Sequence, residues 1–309
     1  MKNLGYACIN MTLSELPKGK KVTTNRSMIR ATFDKKGLAY ASELSLQNMQ
    51  DMLPILKWNV QNGIYFFRVS SNLFPWASEY KMEELPDYAK ILATAQSVGR
   101  FATENGIRLT FHPGPFNKLA SSSESVIKNT ITDLEIHGTI FDMMGLSRTH
   151  YNKINIHVGA AYDSKKDALD QFCRNFDKLS DSVKSRLTVE NDDRPALYST
   201  HELYDGVFKV IGVPIVFDYH HHRFRNDGES ELEALEVALS TWSGIRPVVH
   251  YSESRSDELL DRKIAPNAHS DYIYNKINTY DKEIDIMIEA KMKELALIKY
   301  RNTHGVSNA

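Results

Sequence analysis

Six short apolar runs in this chain each close on a side chain that can bind a metal ion. They span 109–112, ending on His112; 154–157, on His157; 187–190, on Glu190; 215–218, on Asp218; 247–250, on His250; and 286–289, on Glu289. Imidazoles and carboxylates with no thiolate among them suit Zn, Mn or Fe and argue against a structural zinc site. A buried carboxylate at a strand end is costly unless a cation or hydrogen bonds compensate it. Two or three divalent ions would do so. One histidine at one strand end is more often a packing residue than a ligand. The triplet His220-His221-His222, taken alone, reads as a solvated run. Six endings in phase point instead to a polynuclear metal site. His221 and His269 complete the histidine inventory near them.

Side chains in this arrangement need parallel strands that all end on one face. Two further strand candidates, 4–9 and 64–69, bring the number to eight. Amphipathic segments with a period near 3.6 separate them, at 46–61, 86–105, 121–144, 164–179, 199–210, 230–242, 267–280 and 291–300. Strict alternation of strand and helix gives a parallel sheet, and eight units favour closure into a single (β/α)8 TIM barrel over an open sheet. The metal cluster then sits at the C-terminal mouth. No GxGxxG or Walker pattern follows a strand, which argues against a nucleotide cofactor. The expected organisation is one barrel domain over 1–300 with a polar, disordered tail over 301–309. Two long connections, 11–45 and 71–85, follow strand ends and lie on the mouth.

Bulk properties narrow the class. The chain has 309 residues, 42 % hydrophobic and 25 % charged, with a net charge of −1, so global charge predicts no nucleic-acid partner. The two cysteines, Cys8 and Cys173, fit no metal or disulfide spacing. No apolar run approaches a membrane span, and the first residues carry no secretory pattern, so an intracellular protein is expected. Locally the charge is different. Between positions 17 and 36 lie Lys18, Lys20, Lys21, Arg26, Arg30, Lys35 and Lys36 against Asp34 alone. Such a loop is either a solvated charge run or, beside the metal mouth, a phosphate-neutralising surface. Phe74, Trp76, Phe116, Tyr219 and Tyr251 are aromatic candidates for stacking on bases.

These residues resemble the UV damage endonucleases, metal-dependent barrels related in architecture to endonuclease IV. The resemblance runs through Gly5-Tyr6 with Asn10, Phe67-Arg68-Val69-Ser70-Ser71 and Phe111-His112-Pro113. It continues through Asn155-Ile156-His157-Val158-Gly159-Ala160-Ala161-Tyr162, Val189-Glu190-Asn191-Asp192-Asp193, Phe217-Asp218-Tyr219-His220-His221, His269-Ser270-Asp271-Tyr272 and Ile288-Glu289-Ala290-Lys291. It implies that Glu190, Asp218, His250 and Glu289 hold one ion. His112 and His157 would hold a second, with Glu190 bridging, and His221 and His269 would contribute to a third. Tyr6 and Asn10 would lie near the scissile phosphate and lesion, and Lys291 would contact substrate or stabilise charge. The chain departs from the family at three places. Glu79 stands where a histidine ligand is common, Pro115 where many members have Gln beside the lesion probe Phe116, and Val248 where a lysine, sometimes carboxylated, serves as a ligand.

The implied activity is metal-dependent hydrolysis of UV-damaged duplex DNA immediately 5′ of the lesion, leaving a 3′-hydroxyl and a 5′-phosphate. Mn²⁺ is the first expectation for the ions, with Zn²⁺ or Mg²⁺ open, and the protein is expected to act as a monomer with no membrane partner. Lys20, Lys21 and Arg26 would contact phosphates, and Pro115 and Phe116 the lesion. Two other readings compete: a metal-dependent sugar isomerase or epimerase barrel, and a damage-binding protein that has lost catalysis.

Overall fold

The computed structural model describes residues 3–162 and 164–306. Eight parallel strands form the wall: β1 (Leu4–Ala7), β2 (Phe66–Arg68), β3 (Arg108–Thr110), β4 (Ile154–Ile156), β5 (Leu187–Glu190), β6 (Ile215–Asp218), β7 (Val248–Tyr251) and β8 (Asp285–Ile288). Their order is β3-β2-β1-β8-β7-β6-β5-β4, and a bridge between Phe111 and Ile154 joins the two ends, so the sheet closes into a barrel. All eight sequence-predicted strands are present. The outer layer holds α1 (Met11–Ser14), α2 (Arg30–Gln61), α3 (Tyr88–Glu104), α4 (Glu124–Met143), α5 (Lys165–Phe176), α6 (Asp181–Lys184), α7 (Thr200–Leu203), α8 (Lys209–Ile211), α9 (Tyr219–Phe224), α10 (Glu231–Ser240), α11 (Arg255–Leu259) and α12 (Lys293–His304).

Strand alternation decides which side chains reach the site. Successive residues point to opposite faces, and parallel partners in register share a face. Gly5 pairs with Phe66 and Phe66 with Arg108, whereas Tyr6 pairs with Phe67 and Phe67 with Leu109. The first row faces inward. Ala7, Phe66, Val216, Trp242, Val248 and Met287 pack into one small buried cluster inside the barrel. Leu4, Tyr6, Phe67 and Leu109 belong to the large core between barrel and helices. Arg108 and Asp285, both fully buried and 3.1 Å apart, close the N-terminal end. The Arg108 guanidinium also donates to the carbonyls of His150, Tyr151 and Arg246, so the buried charge is satisfied on several sides.

Four sequence expectations change. The helix expected over 46–61 begins at Arg30, so the first connection is far shorter than 11–45; the added stretch breaks at Gly37, whose φ of 63° is left-handed. The segment 267–280 is not helical, because side chains take its backbone groups. The Glu258 carboxylate accepts from the Asp271 and Tyr272 amides, and Glu253 from those of Tyr274 and Asn275. The β7–β8 crossover therefore carries only the five-residue α11. The 199–210 segment is helical but passes through a π turn at Tyr204–Phe208. Finally, α12 continues to His304, and Arg301 donates to the carbonyls of Asn62 and Gly63 at 2.8 and 2.6 Å, pinning the start of the expected tail to the end of α2. The rest of that tail, 307–309, lies outside the described residues. Helix packing is close at Gly99, where a Cβ would stand 1.7 Å from the Met144 carbonyl oxygen.

Candidate metal centre

Because Glu190, Asp218, His250 and Glu289 sit on or just past inward positions of β5 to β8, their side chains converge at the mouth. His112 and His157 follow β3 and β4, and His221 lies in the first turn of α9. Three groups of ligand atoms gather within 4.8 Å of one another: His112, Glu190 and His250; His157, Glu190 and His221; and Asp218, His250 and Glu289. Glu190 belongs to two groups and His250 to two. Glu190 Oε2 stands 3.0 Å from His112 Nε2, 3.1 Å from His250 Nδ1 and 3.9 Å from His157 Nε2, while its Oε1 is 3.4 Å from His221 Nδ1. Seven of the nine predicted ligands thus gather in three groups linked through Glu190 and His250.

The histidines are held by their outer nitrogens. The Nδ1 atoms of His112, His221 and His269 lie 3.2, 2.9 and 2.9 Å from the carbonyls of Pro113, Asn191 and Glu289. An Nδ1–H donated to a carbonyl leaves the Nε2 lone pair free, the usual arrangement behind a metal-ligating imidazole. His157 Nδ1 stands 3.0 Å from Asp192 Oδ1. His250 is reversed. Its Nδ1 faces Glu190 and Glu289, and its Nε2 lies 3.3 Å from the amine of the fully buried Lys153.

The donor set fits divalent cations. Glu190 Oε1, Asp218 Oδ2 and His250 Nδ1 are buried with no hydrogen-bond partner among the described residues. Orphaned atoms of this kind are rare in a folded interior and call for an ion or water. Electrostatics agree. Burial opposes ionisation of Glu190, but His250, His157 and a hydrogen bond from His112 hold its pKa well below the carboxylate range. Burial likewise opposes ionisation of Glu289, and the Arg68 guanidinium that ion-pairs with it, together with His250, keeps it ionised. Burial lifts Asp218 to about 7, with His221 opposing and Glu190 adding to the rise. His157 is raised to about 10: burial works against its charged form, and Glu190 and Asp192 outweigh it. Burial drives His250 down to about 4.

Two predicted ligands stand outside the groups. His269 stands 3.7 Å from Glu289 Oε2, and its ring is 5.7 Å from that of His220 and 6.4 Å from that of His221. Glu79, in a 3₁₀ turn at Ala77–Glu79, is paired with Arg30 at 3.1 Å. The neighbours of His221 also differ from expectation. His220 and His222 are buried, not solvated.

Tyr6 and Asn10 require a correction. Tyr6 is on the outward row of β1, wholly buried, and its hydroxyl donates to Asn59 of α2 and accepts from Asn10. Burial pushes its pKa far above the ordinary phenol value. Asn10 caps α1 by accepting from the Leu13 amide and is also buried. Both residues therefore hold the β1 loop in place and do not face the mouth. Arg26 is also engaged, 2.7 Å from Asp51. Lys20, Lys21 and Lys291 are exposed. Pro115 and Phe116 form the exposed tip of the loop after β3, with Phe116 87 % accessible. Phe74 and Tyr219 are buried, and Trp76 anchors its loop by donating to the Met28 carbonyl.

Sequence reasoning missed Arg68, Lys153, Asn155 and Asp192. Asn155 donates to Glu190 Oε2 and accepts from Thr188 at 2.8 Å, fixing the shared carboxylate. The signal was present as strand parity: Lys153, Asn155 and His157 alternate along one strand, so all three face inward.

Comparison with known proteins places this geometry. The family model for UV-endonuclease UvdE matches residues 2–306. A UV-damage endonuclease of Schizosaccharomyces pombe is 35 % identical over 315 residues, which cover 99 % of this chain and 51 % of that protein. A UV DNA damage endonuclease of Bacillus mycoides is 34 % identical over 83 % of this chain and 80 % of its own length. The chain therefore spans about half of the fungal relative and four-fifths of the bacterial one. The crystal structure of SacUVDE superposes with a TM-score of 0.82 at 30 % identity, over 98 % of each chain.

Proposed function

The chain belongs to the UV-endonuclease UvdE family, and from that premise we propose that it is a DNA repair endonuclease that nicks UV-damaged duplex DNA immediately 5′ of the lesion. The products are a 3′-hydroxyl and a 5′-phosphate. The observation that carries this reading is the gathering of seven ligand side chains in three groups linked through Glu190 and His250, with Glu190 Oε1, Asp218 Oδ2 and His250 Nδ1 buried and without a hydrogen-bond partner among the described residues. Two or three divalent cations fit that set, Mn²⁺ first, Zn²⁺ and Mg²⁺ after it. When bound, such ions neutralise non-bridging phosphate oxygens, acidify water and stabilise a leaving alkoxide.

The protein's own groups do the positioning. Asn155 and Thr188 fix the Glu190 carboxylate, Asp192 steadies His157, and the carbonyls behind His112 and His221 set their tautomers. His269, turned by the Glu289 carbonyl, adds a ligand at the edge of the cluster. Lys291, exposed just beyond Glu289, meets a phosphate of the substrate. Lys20 and Lys21 neutralise flanking phosphates, and Phe116 with the stiff Pro115 fills the gap beside an extruded lesion. The protein acts as a monomer. Glu79, paired with Arg30, stands outside the three ligand groups.

The test is a nicking assay on a 5′-labelled duplex carrying one thymine dimer, with Mn²⁺-loaded protein, an undamaged duplex and a chelated control. The expected result is a metal-dependent cut just 5′ of the dimer and none in the undamaged strand. Equal cutting of both duplexes, or no cutting by metal-loaded protein, overturns the reading.

A further inference from the structure

The mouth carries a second exposed apolar element that the proposed function does not use. Leu260 is 91 % accessible and Leu259 is 49 %. They sit in an excursion, 255–268, whose two ends are tied at the mouth. The Arg255 amide donates to the Ala268 carbonyl at 2.7 Å, and Ser254 bridges to His269, the histidine that approaches Glu289. The excursion is stiff. Asp261 donates its amide to Ser256 at 3.0 Å, accepts from the Ser256 hydroxyl at 3.0 Å, and takes the Lys263 amide on its carboxylate at 2.9 Å. Within that clamp Leu260 adopts a φ of 52°. A bulky residue in the left-handed region is an outlier that persists only where its surroundings enforce it. Here the result is an apolar side chain held out in water by a braced turn.

Two features make this more than an isolated exposed leucine. Seven of the eight exposed large hydrophobics among the described residues, Leu16, Ile29, Phe116, Tyr162, Leu259, Leu260 and Tyr274, lie outside the longer helices in connections that start from the metal face. Leu260 follows β7 and Phe116 follows β3. These strands are four apart in a closed ring of eight, so the two residues stand on opposite rims of the mouth. Asp261 follows Leu260, its carboxylate turned back onto the Lys263 amide, and after it come Arg262 and Lys263, both exposed and neither paired with a carboxylate among the described residues. An apolar tip with two free cations one residue beyond it suits a DNA groove, where the tip meets a base step and the cations meet the flanking phosphates.

We infer that the Leu259–Leu260 turn, with Arg262 and Lys263, is a second wedge that engages duplex DNA on the rim opposite Phe116. Gripped on both rims, a duplex would bend across the metal centre and strain at the lesion between the two contacts. This inference rests on the proposed endonuclease reading and adds a determinant of substrate binding to it.

Steady-state nicking of the thymine-dimer duplex by the Mn²⁺-loaded full chain tests it. Leu260→Ala should raise KM about tenfold, the scale of a lost interface anchor, and change kcat less than about twofold. Arg262→Ala with Lys263→Ala should lower the slope of log affinity against log salt by about two. The melting temperature of each variant serves as the folding control, and the exposure of all three side chains predicts no loss. An unchanged KM for Leu260→Ala in an enzyme that nicks normally overturns the wedge and leaves the endonuclease standing. A fall in kcat with constant KM also overturns it, since the turn would then act through His269 and not through DNA. A wild-type protein that neither nicks nor binds the duplex overturns both readings together.

Discussion

The amine of Lys153 lies 3.3 Å from Nε2 of His250, on the side of the ring away from Glu190 and Glu289. Burial lowers that lysine to about 7 and His250 to about 4. A lysine near neutrality can take the Nε2–H of the imidazole, which frees Nδ1 for a cation. Replacing Lys153 with Met keeps the volume and removes that partner. We expect Lys153→Met to lose about tenfold in Mn²⁺ affinity, the usual cost of deleting an outer partner of a ligating histidine, with the fold retained. Calorimetric titration of the metal-stripped variant checks this, and an unchanged affinity would show that His250 needs no support from below.

Glu190 is the one group whose loss should disable the centre as a unit, because it touches His112, His157, His221 and His250. Glu190→Gln keeps the shape and an oxygen for Asn155 but removes the charge shared by two ligand groups. Nicking should fall by about 10³-fold, the upper end for losing one electrostatic group, while the melting temperature of the chelated protein does not fall. Normal cutting by this variant would remove Glu190 from the bridging position.

Metal affinity should rise with pH, and the sign follows from the ligands whose protons a cation must displace. Asp218, lifted to about 7, and His157, raised to about 10, both hold protons that a cation must displace. Above pH 7 Asp218 is already ionised and His157 still has a proton to release. Below pH 7 both do, and His221, opposed by burial but raised by Asp218 and Glu190, adds to them. The slope of log affinity against pH should therefore be at least about one between pH 7 and 10 and steepen below pH 7. Calorimetry in buffers of different ionisation enthalpy counts the protons directly. No proton release at pH 7.5 would contradict the charged state assigned to His157.

The basic loop divides into free and engaged cations. Lys20 and Lys21 are exposed, whereas Arg26 is bound to Asp51 and its amide donates to Asn48 at 3.0 Å. Lys20→Ala with Lys21→Ala should reduce the salt slope of DNA binding by about two and leave stability alone. Arg26→Ala should leave the slope alone and cost about 1 kcal/mol of stability. Fluorescence anisotropy across a salt series, beside thermal melts, separates the two. The reverse assignment would mean that the loop rearranges on DNA.

Much of this centre is legible in the chain because parallel barrel strands are short, apolar and in phase, so a ligand at each end is visible as local pattern. His112, His157, Glu190, Asp218, His250 and Glu289 all satisfy it. What stays hidden depends on which face a residue takes or on what it meets across the barrel. Tyr6 looks like a mouth residue by position, yet one step of strand alternation sends it outward to Asn59. Strand parity turns Lys153 inward, but nothing local shows that its amine meets His250 across the barrel. The failed helix at 267–280 has helical periodicity, but Glu253 and Glu258 capture its amides from a segment far enough away that no local window contains them. Glu79 likewise meets a partner distant in sequence, Arg30, and stands outside the three ligand groups.

Phe116 gives the most direct readout of damage selectivity. Its loop has a rigid stem and a bare tip. Asn117 donates to the Gly114 carbonyl at 3.1 Å and to Asp133 at 2.8 Å, and the Lys118 amide donates to Thr130 at 2.9 Å, while Pro115 and Phe116 project into solvent. A side chain placed this way contributes nothing to the core, so Phe116→Ala should melt like the wild type. If the ring fills the space left by an extruded lesion, its loss penalises only the duplex that can be opened there, and the ratio of binding between dimer-containing and undamaged DNA should fall by about tenfold. Asn117→Ala should give a smaller loss by loosening the stem. Competition binding with both duplexes measures the ratio. A Phe116→Ala protein that weakens equally on damaged and undamaged DNA would make the ring a general contact and move lesion discrimination elsewhere on the mouth.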